Sequence, residues 1–304
     1  MDTWYPRLLL AALLLLAPAG PTLATDCNGP SADCVPVGGW NFSLALGAGV
    51  RTNPVVHESD IPLVVVPQIS YYGKRFFLDN LDGGVTLLDT DSITLSLIAS
   101  PGYDRVFFYR SDPQNIFVKG LGAVNSSTTP GGTGTNPAGS PSSGTGAGNY
   151  TGDSTGVVSK VPVHFPPRPR SVTYLAGPEW TFKYGGVVGQ LDLLHEITGH
   201  NHGDEVRAAL GIPLSRVGGA WSANIGLTWK SSAIVNYYYG APGIYRGGPS
   251  LDPFLKLAYT RPLKGKWKIT GFVEGERLGN GIADSPIVSR RIVTTTFIGL
   301  VYVF

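Results

Sequence analysis

The feature that most constrains this chain is a strict alternation of apolar and polar residues in unusually long segments. From Trp221 to Trp229 every odd position is apolar, and small or polar residues from Ser222 to Lys230 fill the even positions. Similar alternation covers 42–51, 251–260 and 266–276. A period of two gives a strand one apolar and one polar face. Soluble strands average about 5–6 residues, whereas a tilted membrane strand needs about 9–11. The pattern therefore favours membrane-spanning strands over the alternative, a secreted β-sandwich with its apolar face on a core.

The N-terminus has the pattern of an export signal. Arg7 precedes the apolar run 8–17, and the small residues Thr22 and Ala24 then form a cleavage motif. A membrane-spanning helix needs about 20 apolar residues, so this run is too short to anchor the chain. We expect residues 1–24 to be a signal peptide and residues 25–39 to be a periplasmic N-terminal segment.

Beyond residue 24 no apolar run is long enough to form a transmembrane helix. An exported chain with long alternating strands is typical of an outer-membrane β-barrel, which we place at residues 40–304. Trp and Tyr near the segment ends would form the aromatic girdles of such a barrel.

Composition excludes two other classes of protein. Charged residues make up 14% of the chain, and its 41 Gly and 24 Pro argue against a helical bundle. The formal net charge of +2 provides no basic patch for nucleic acid. We therefore expect outer-membrane lipid, and no nucleic acid, as a partner.

The alternating segments predict an all-β fold, a closed antiparallel transmembrane β-barrel of about 12 strands. The predicted strands are 40–51, 62–71, 75–80, 84–89, 92–105, 171–184, 186–196, 204–212, 218–230, 251–261, 266–278 and 291–304. An even strand count places both termini in the periplasm, with short turns there and long loops outside. Because 75–80 and 84–89 are too short to span comfortably, a barrel of 10 strands is the alternative.

The C-terminal residues resemble a barrel-assembly signal. Ile298, Leu300, Tyr302 and Phe304 lie on one face of the last strand, which ends in a terminal Phe. Bacterial outer-membrane barrels end in this way, and the barrel-assembly machinery recognises such a segment. We therefore expect that machinery to be a partner.

Two further segments lie outside the strand pattern. Residues 125–159 consist mainly of Gly, Ser, Thr and Pro, so we expect an extracellular loop at about 120–170 to be disordered. Cys27 and Cys34 are the only two cysteines. Since an exported chain meets an oxidising compartment, they are candidates for a disulfide.

Catalytic motifs are weak. The stretch 152–156 fits the pattern G-x-S-x-G, but it lies in a Gly/Ser-rich tract rather than at a strand-to-helix turn. His195-Glu196 is followed by His200, one residue too far for the zinc motif H-E-x-x-H. Whether His195, His200 and His202 bind a metal stays open. We assign no catalytic, cofactor-binding or metal-binding residue and expect a protein that is not an enzyme.

Several segments, in this order, resemble the MipA/OmpV family of Gram-negative outer-membrane proteins. They are Gly47-Ala48-Gly49-Val50, Arg75-Phe76-Phe77, Leu87-Leu88-Asp89-Thr90-Asp91, Tyr238-Tyr239-Gly240, Arg277-Leu278 and Asp284-Ser285-Pro286-Ile287-Val288. The resemblance implies a barrel in the outer membrane of a Gram-negative bacterium. It also implies a non-enzymatic scaffold that links a murein lytic transglycosylase to a murein synthase. Because other members are linked to osmotic adaptation and adhesion, a passive pore or a surface adhesin is the alternative.

The turn at 262–265 is the most basic periplasmic surface that the strand pattern predicts. Arg261, Lys264 and Lys266 surround it. These residues could face an acidic partner or anchor the barrel at the membrane edge.

Overall fold

The computed structural model describes residues 38–109, 112–115, 169–215 and 218–304. Within these residues, twelve strands form one closed barrel. They are β1 (Gly39–Arg51), β2 (Ile61–Tyr72), β3 (Phe76–Asp79), β4 (Asp82–Asp89), β5 (Ile93–Pro101), β6 (Tyr174–Tyr184), β7 (Val187–Glu196), β8 (Asp204–Ser215), β9 (Ala220–Lys230), β10 (Ser250–Pro262), β11 (Trp267–Arg277) and β12 (Ile292–Val303). Cys27, Cys34 and most of the predicted loop at about 120–170 lie outside the described residues.

Each strand pairs antiparallel with its neighbours in sequence, and β12 closes the barrel on β1. The closing register aligns Ser43 with Val303 and Arg51 with Thr295. The prediction of twelve antiparallel strands is confirmed, and the alternative of ten is wrong. We call the end where β1 begins and β12 ends the short-turn end, and the opposite end the long-loop end.

The hairpin formed by β3 and β4 is much shorter than the rest of the wall. β3 has 4 residues and β4 has 8, and the hairpin turns between Asp79 and Asp82. β2 has 12 residues, but it pairs with β3 only from Ser70 to Tyr72. The two short strands are therefore real, and together they cover only part of the height of β2.

Side chains divide between the two faces of the wall as the alternation predicts. On β9, Ile225 is 42% exposed and Leu227 is 37% exposed, whereas Asn224 and Lys230 are buried. The outer surface is thus an apolar belt, and the polar residues of the same strands face the lumen. No helix in the described part of the chain is both long enough and apolar enough to cross a membrane.

Three helical segments fill the long-loop end of the lumen. They are the 3-10 helix Tyr103–Phe107, α1 (Ser232–Tyr239) and α2 (Asn280–Ala283), which together we call the plug. Their buried apolar side chains pack in one cluster with the lumen-facing residues of β2, β5, β6, β7 and β12. The sequence predicted a strand as far as residue 105, whereas β5 ends at Pro101 and the 3-10 helix follows. It predicted long connections at 231–250 and 279–290, and these contain the helices α1 and α2.

Local sequence explains why α1 forms. Ile234, Val235, Tyr238 and Tyr239 recur at helical spacing, and all four are buried. Gly240 follows the last turn, and its N–H bonds to the carbonyl of Asn236. The helix places all four side chains on one face, which packs into the barrel. A strand would direct neighbouring residues to opposite faces and could not bury all four.

Candidate functional site: a plugged lumen and a basic short-turn end

Asp104 joins three elements inside the lumen. Its Oδ1 lies 2.7 Å from Nζ of Lys230 on β9 and accepts a hydrogen bond of 2.8 Å from the Tyr239 hydroxyl on α1. Asp104 is 2% exposed and Tyr239 is fully buried. Burial raises the pKa of Tyr239 well above its ordinary value. The hydroxyl therefore stays protonated and donates a hydrogen bond to Asp104. These contacts fasten the 3-10 helix and α1 to the wall.

Asp252 on β10 forms a second set of contacts between the wall and the plug. Its Oδ2 lies 3.4 Å from Nζ of Lys230, and its Oδ1 accepts a hydrogen bond of 2.8 Å from the N–H of Gly279, just before α2. The Ser250 hydroxyl donates to the same carboxylate at 2.5 Å. Lys230 therefore lies between two buried carboxylates, one on the plug and one on the wall.

A third buried group ties β8 to β5. Arg207 pairs with Glu205 and donates from Nη1 to the Ser100 hydroxyl at 2.9 Å. Both members of the ion pair are buried. Removing one partner of a buried ion pair is strongly destabilising because the other charge stays desolvated. Buried polar contacts thus hold the wall of the barrel together as well as the plug.

The space left beside these groups is small. A cavity of about 60 Å³ is lined by Asp104, Glu205, Lys230 and Glu276 among others. Ligand pockets usually enclose about 300–1,000 Å³, whereas a water molecule takes about 30 Å³. This cavity therefore has the size for water molecules, and the plug leaves it no room for a larger ligand.

The short-turn end carries a ring of aromatic side chains on the outer surface. The ring centroids of Trp221 and Tyr259 are 4.7 Å apart, and those of Trp267 and Tyr302 are 4.9 Å apart. Amphipathic rings are favoured at a membrane–water interface. The girdle predicted from the sequence is present at this end.

Basic residues surround the same end. Arg261, Lys264 and Lys266 are exposed around the turn between β10 and β11, and Lys74 and Arg75 are exposed between β2 and β3. Asp91, in the turn between β4 and β5, is an exposed acid at this end. The surface thus presents mainly positive charge.

The predicted C-terminal signal residues lie on the outer face. Ile298, Leu300 and Phe304 are 61%, 43% and 65% exposed, and Tyr302 is partly buried between rings. The N–H of Phe304 bonds to the carbonyl of Phe42 at 2.9 Å. The terminal residue therefore belongs to the seam that closes the barrel; its recognition by the assembly machinery stays a prediction.

The histidine-containing loop is organised by Glu196 rather than by its imidazoles. The Glu196 carboxylate accepts backbone N–H groups of His200 and His202, each at 3.0 Å. His195 pairs with Asp204 at 2.7 Å, and the His200 ring stacks on Tyr237. Among the described residues, no three His, Cys, Asp or Glu side chains are grouped to hold a metal ion.

Sequence reasoning missed the plug, although one of the quoted family segments overlaps α1 and another directly follows α2. The Ser285 hydroxyl donates to the carbonyl of Tyr239 at 2.6 Å, and Val288 forms a bridge with Val55. Segments 238–240 and 284–288 therefore fasten the plug. The stretch 152–156 lies outside the described residues.

Two curated relatives carry the name MltA-interacting protein, one from Escherichia coli K12 and one from Shigella flexneri. Each is 24% identical to this chain over 281 residues, which is 86% of this chain and 90% of the relative. Among solved structures, the COG4313 outer membrane channel from Pseudomonas putida F1 is 9% identical, with a TM-score of 0.40. It matches over 92% of this chain and 100% of its own length. A porin is 11% identical over 88% of this chain and 100% of its own, with a TM-score of 0.30. Both scores are too low to show a common fold.

The sequence model described as "MltA-interacting protein MipA" matches residues 44–304, from the first strand to the last residue. This range begins within β1 and includes β2 to β12 and the whole plug. The chain therefore belongs to the MipA family.

Proposed function

We propose that this protein is a non-enzymatic scaffold in the outer membrane of a Gram-negative bacterium. In this proposal the short-turn end faces the periplasm, so that both termini lie there and the long loops lie outside. The asymmetry of the connections and the aromatic ring at the short-turn end support that orientation.

The observation that carries the proposal is the combination of a filled lumen and an exposed basic end. Asp104, Lys230 and Tyr239 hold the plug across the lumen, which argues against the passive-pore alternative. With the lumen filled, periplasmic partners can contact only the outer surface of the short-turn end, where Arg261, Lys264 and Lys266 are exposed.

The partners that we propose are a murein lytic transglycosylase and a murein synthase. The names of the two curated relatives support the first of these. A basic surface speeds association with an acidic partner and weakens as salt rises. We therefore propose that Arg261, Lys264 and Lys266 contact an acidic face of the transglycosylase.

The test is binding of a purified murein lytic transglycosylase to the full barrel, immobilised in detergent micelles. The triple variant Arg261→Glu, Lys264→Glu and Lys266→Glu should weaken binding at least tenfold at low salt. The matched control, Arg277→Glu with Arg291→Glu, reverses charge at the long-loop end and should leave binding unchanged. Equal binding by both variants, or no binding by the wild type, would contradict the proposal.

A further inference from the structure

The wall of the barrel has a notch above the short β3–β4 hairpin. β2 pairs with β3 only over Ser70–Tyr72. The last hydrogen bonds between β2 and the hairpin join Ile69 to Asn80, whose N–H donates to the Ile69 carbonyl and whose Oδ1 accepts from the Ile69 N–H. Residues 61–67 pair with β1 on their other side but have no strand partner on this side among the described residues. The notch therefore occupies the part of the wall nearest the long-loop end.

Backbone groups with no strand partner among the described residues line one side of the notch. In an antiparallel strand, successive residues direct their N–H and C=O groups to opposite sides. The backbone of Ile69 bonds to Asn80, on the side of the β3–β4 hairpin. Pro67 and Val65 are two and four residues earlier, so they direct their backbone groups to the same side, towards the notch. Pro67 has no N–H to leave unpaired, as expected for an edge. Within the part of the chain that the structure describes, the Pro67 carbonyl and both backbone groups of Val65 have no strand partner, which is costly in hydrocarbon.

The surroundings of these polar groups are apolar. Val64 and Val65 are 57% and 42% exposed at the outer surface. Behind them, the 3-10 helix packs against β2 from the lumen side, where Val106 belongs to the same buried cluster as Leu63 and Val66. The carbonyl of its last residue, Phe107, accepts a hydrogen bond of 2.9 Å from Asn53. The notch is thus an apolar groove with hydrogen-bonding groups along one edge.

Three arginines lie on the same rim, at the end of β11 and in the connection before β12. Arg277 is the last residue of β11, at a position whose side chain faces outwards. Its partner across the strand pair is Ile292 on β12, which is 59% exposed. Arg291 is 53% exposed, pairs with Asp284 at 2.5 Å and donates to the Asn280 side chain at 3.2 Å. Arg290 pairs with Asp60 at 2.7 Å, which places this loop against the connection that leads into β2. Since strands are about 4.8 Å apart, β12 lies roughly 10 Å from β2, and β11, which carries Arg277, lies roughly 14 Å from it.

We propose that this surface binds one molecule of lipopolysaccharide from the outer leaflet through its lipid A part. Lipid A combines phosphates, which suit Arg277 and Arg291, with hydroxylated and amide-linked acyl chains. One acyl chain lies in the notch, and its amide or hydroxyl group pairs with the open edge at Val65. The inference rests on the proposed orientation, which places the long-loop end in the outer leaflet.

The test is native mass spectrometry of the delipidated full barrel with three lipids. These are purified lipid A, lipid A from which both phosphates have been removed, and phosphatidylglycerol. Lipid A should bind one to one and at least tenfold more tightly than phosphatidylglycerol. The dephosphorylated form should lie between them. Equal binding of lipid A and phosphatidylglycerol to the wild type would overturn the proposal without any variant.

Variants separate the two halves of the surface. Arg277→Glu with Arg291→Glu should abolish the difference between the two forms of lipid A. Val65→Trp should weaken both forms several-fold, whereas its control Leu255→Trp, elsewhere on the apolar belt, should not. An equal effect of the two Trp variants would remove the notch from the proposal. The Arg261, Lys264 and Lys266 variant should bind lipid A normally, so lipid binding and transglycosylase binding can fail independently.

Discussion

At the scale of single residues, Asp104 joins parts of the chain that lie far apart in sequence. It is separated from Lys230 by 126 positions in sequence and from Tyr239 by 135, yet all three meet in the lumen. Lys230 retains Asp252 at 3.4 Å if Asp104 is removed, whereas the Tyr239 hydroxyl loses its acceptor. The plug therefore depends on this carboxylate more than the wall does.

Asp104→Ala should lower the free energy of unfolding by about 3 kcal/mol, because it leaves a buried amine with one distant partner. Urea unfolding in micelles, followed by tryptophan fluorescence, measures this. The control is Asp204→Ala, since the Asp204–His195 pair is exposed and should contribute about 0–1 kcal/mol. Equal losses in the two variants would show that Asp104 does not hold the plug.

At the scale of elements, the seam between β1 and β12 requires close approach of two backbones. A Cβ at Gly47 would lie 2.2 Å from the Phe297 ring and 2.3 Å from the Ile298 carbonyl oxygen. Gly299 faces Gly47 across the seam. Larger side chains would force the closing strands apart.

Gly47→Val should therefore reduce the folded fraction severely, because the backbone of β12 cannot move without opening the barrel. Gly275→Val is the matched control, since nothing lies within 4 Å of a Cβ at that position. Heat-modifiable migration on a gel reports the folded fraction of both. Normal folding of Gly47→Val would contradict the tight seam.

Deleting Phe304 tests the same seam from its end. The deletion removes the hydrogen bond to Phe42 and one outward ring, but no turn or charge. We expect slow membrane insertion and unfolded chains in the periplasm, measured by pulse-chase labelling. The control is Phe76→Ala, which removes an exposed ring on β3 without touching the seam. Normal insertion kinetics of the deleted chain would remove the assembly role of the C-terminus.

The strands could be predicted from the sequence because lipid and lumen impose opposite polarity on successive residues. Ile225 and Asn224 show this directly, one exposed to the outside and one buried inside. The plug could not be predicted in this way, since its burial arises from contacts across the whole chain. Asp104 lies in a stretch without periodicity, and α1 is too short for its stripe to stand out from a loop.

At the scale of the whole molecule, the barrel is a wall whose long-loop end is closed by its own connections. The short-turn end is left to present basic side chains around the turn after β10. Under the proposed function we expect a barrel of this form to transmit no solute through its centre and to act through its surfaces. Its activity should then depend on partners and lipid rather than on the width of the lumen.

Conductance across a planar lipid bilayer tests the closed barrel most directly. The wild-type protein should show no steady ion current, because Asp104, Lys230 and Tyr239 hold the plug across the lumen. Asp104→Ala should show intermittent current as the plug loosens. A steady open current through the wild type would contradict the closed lumen and favour a passive pore.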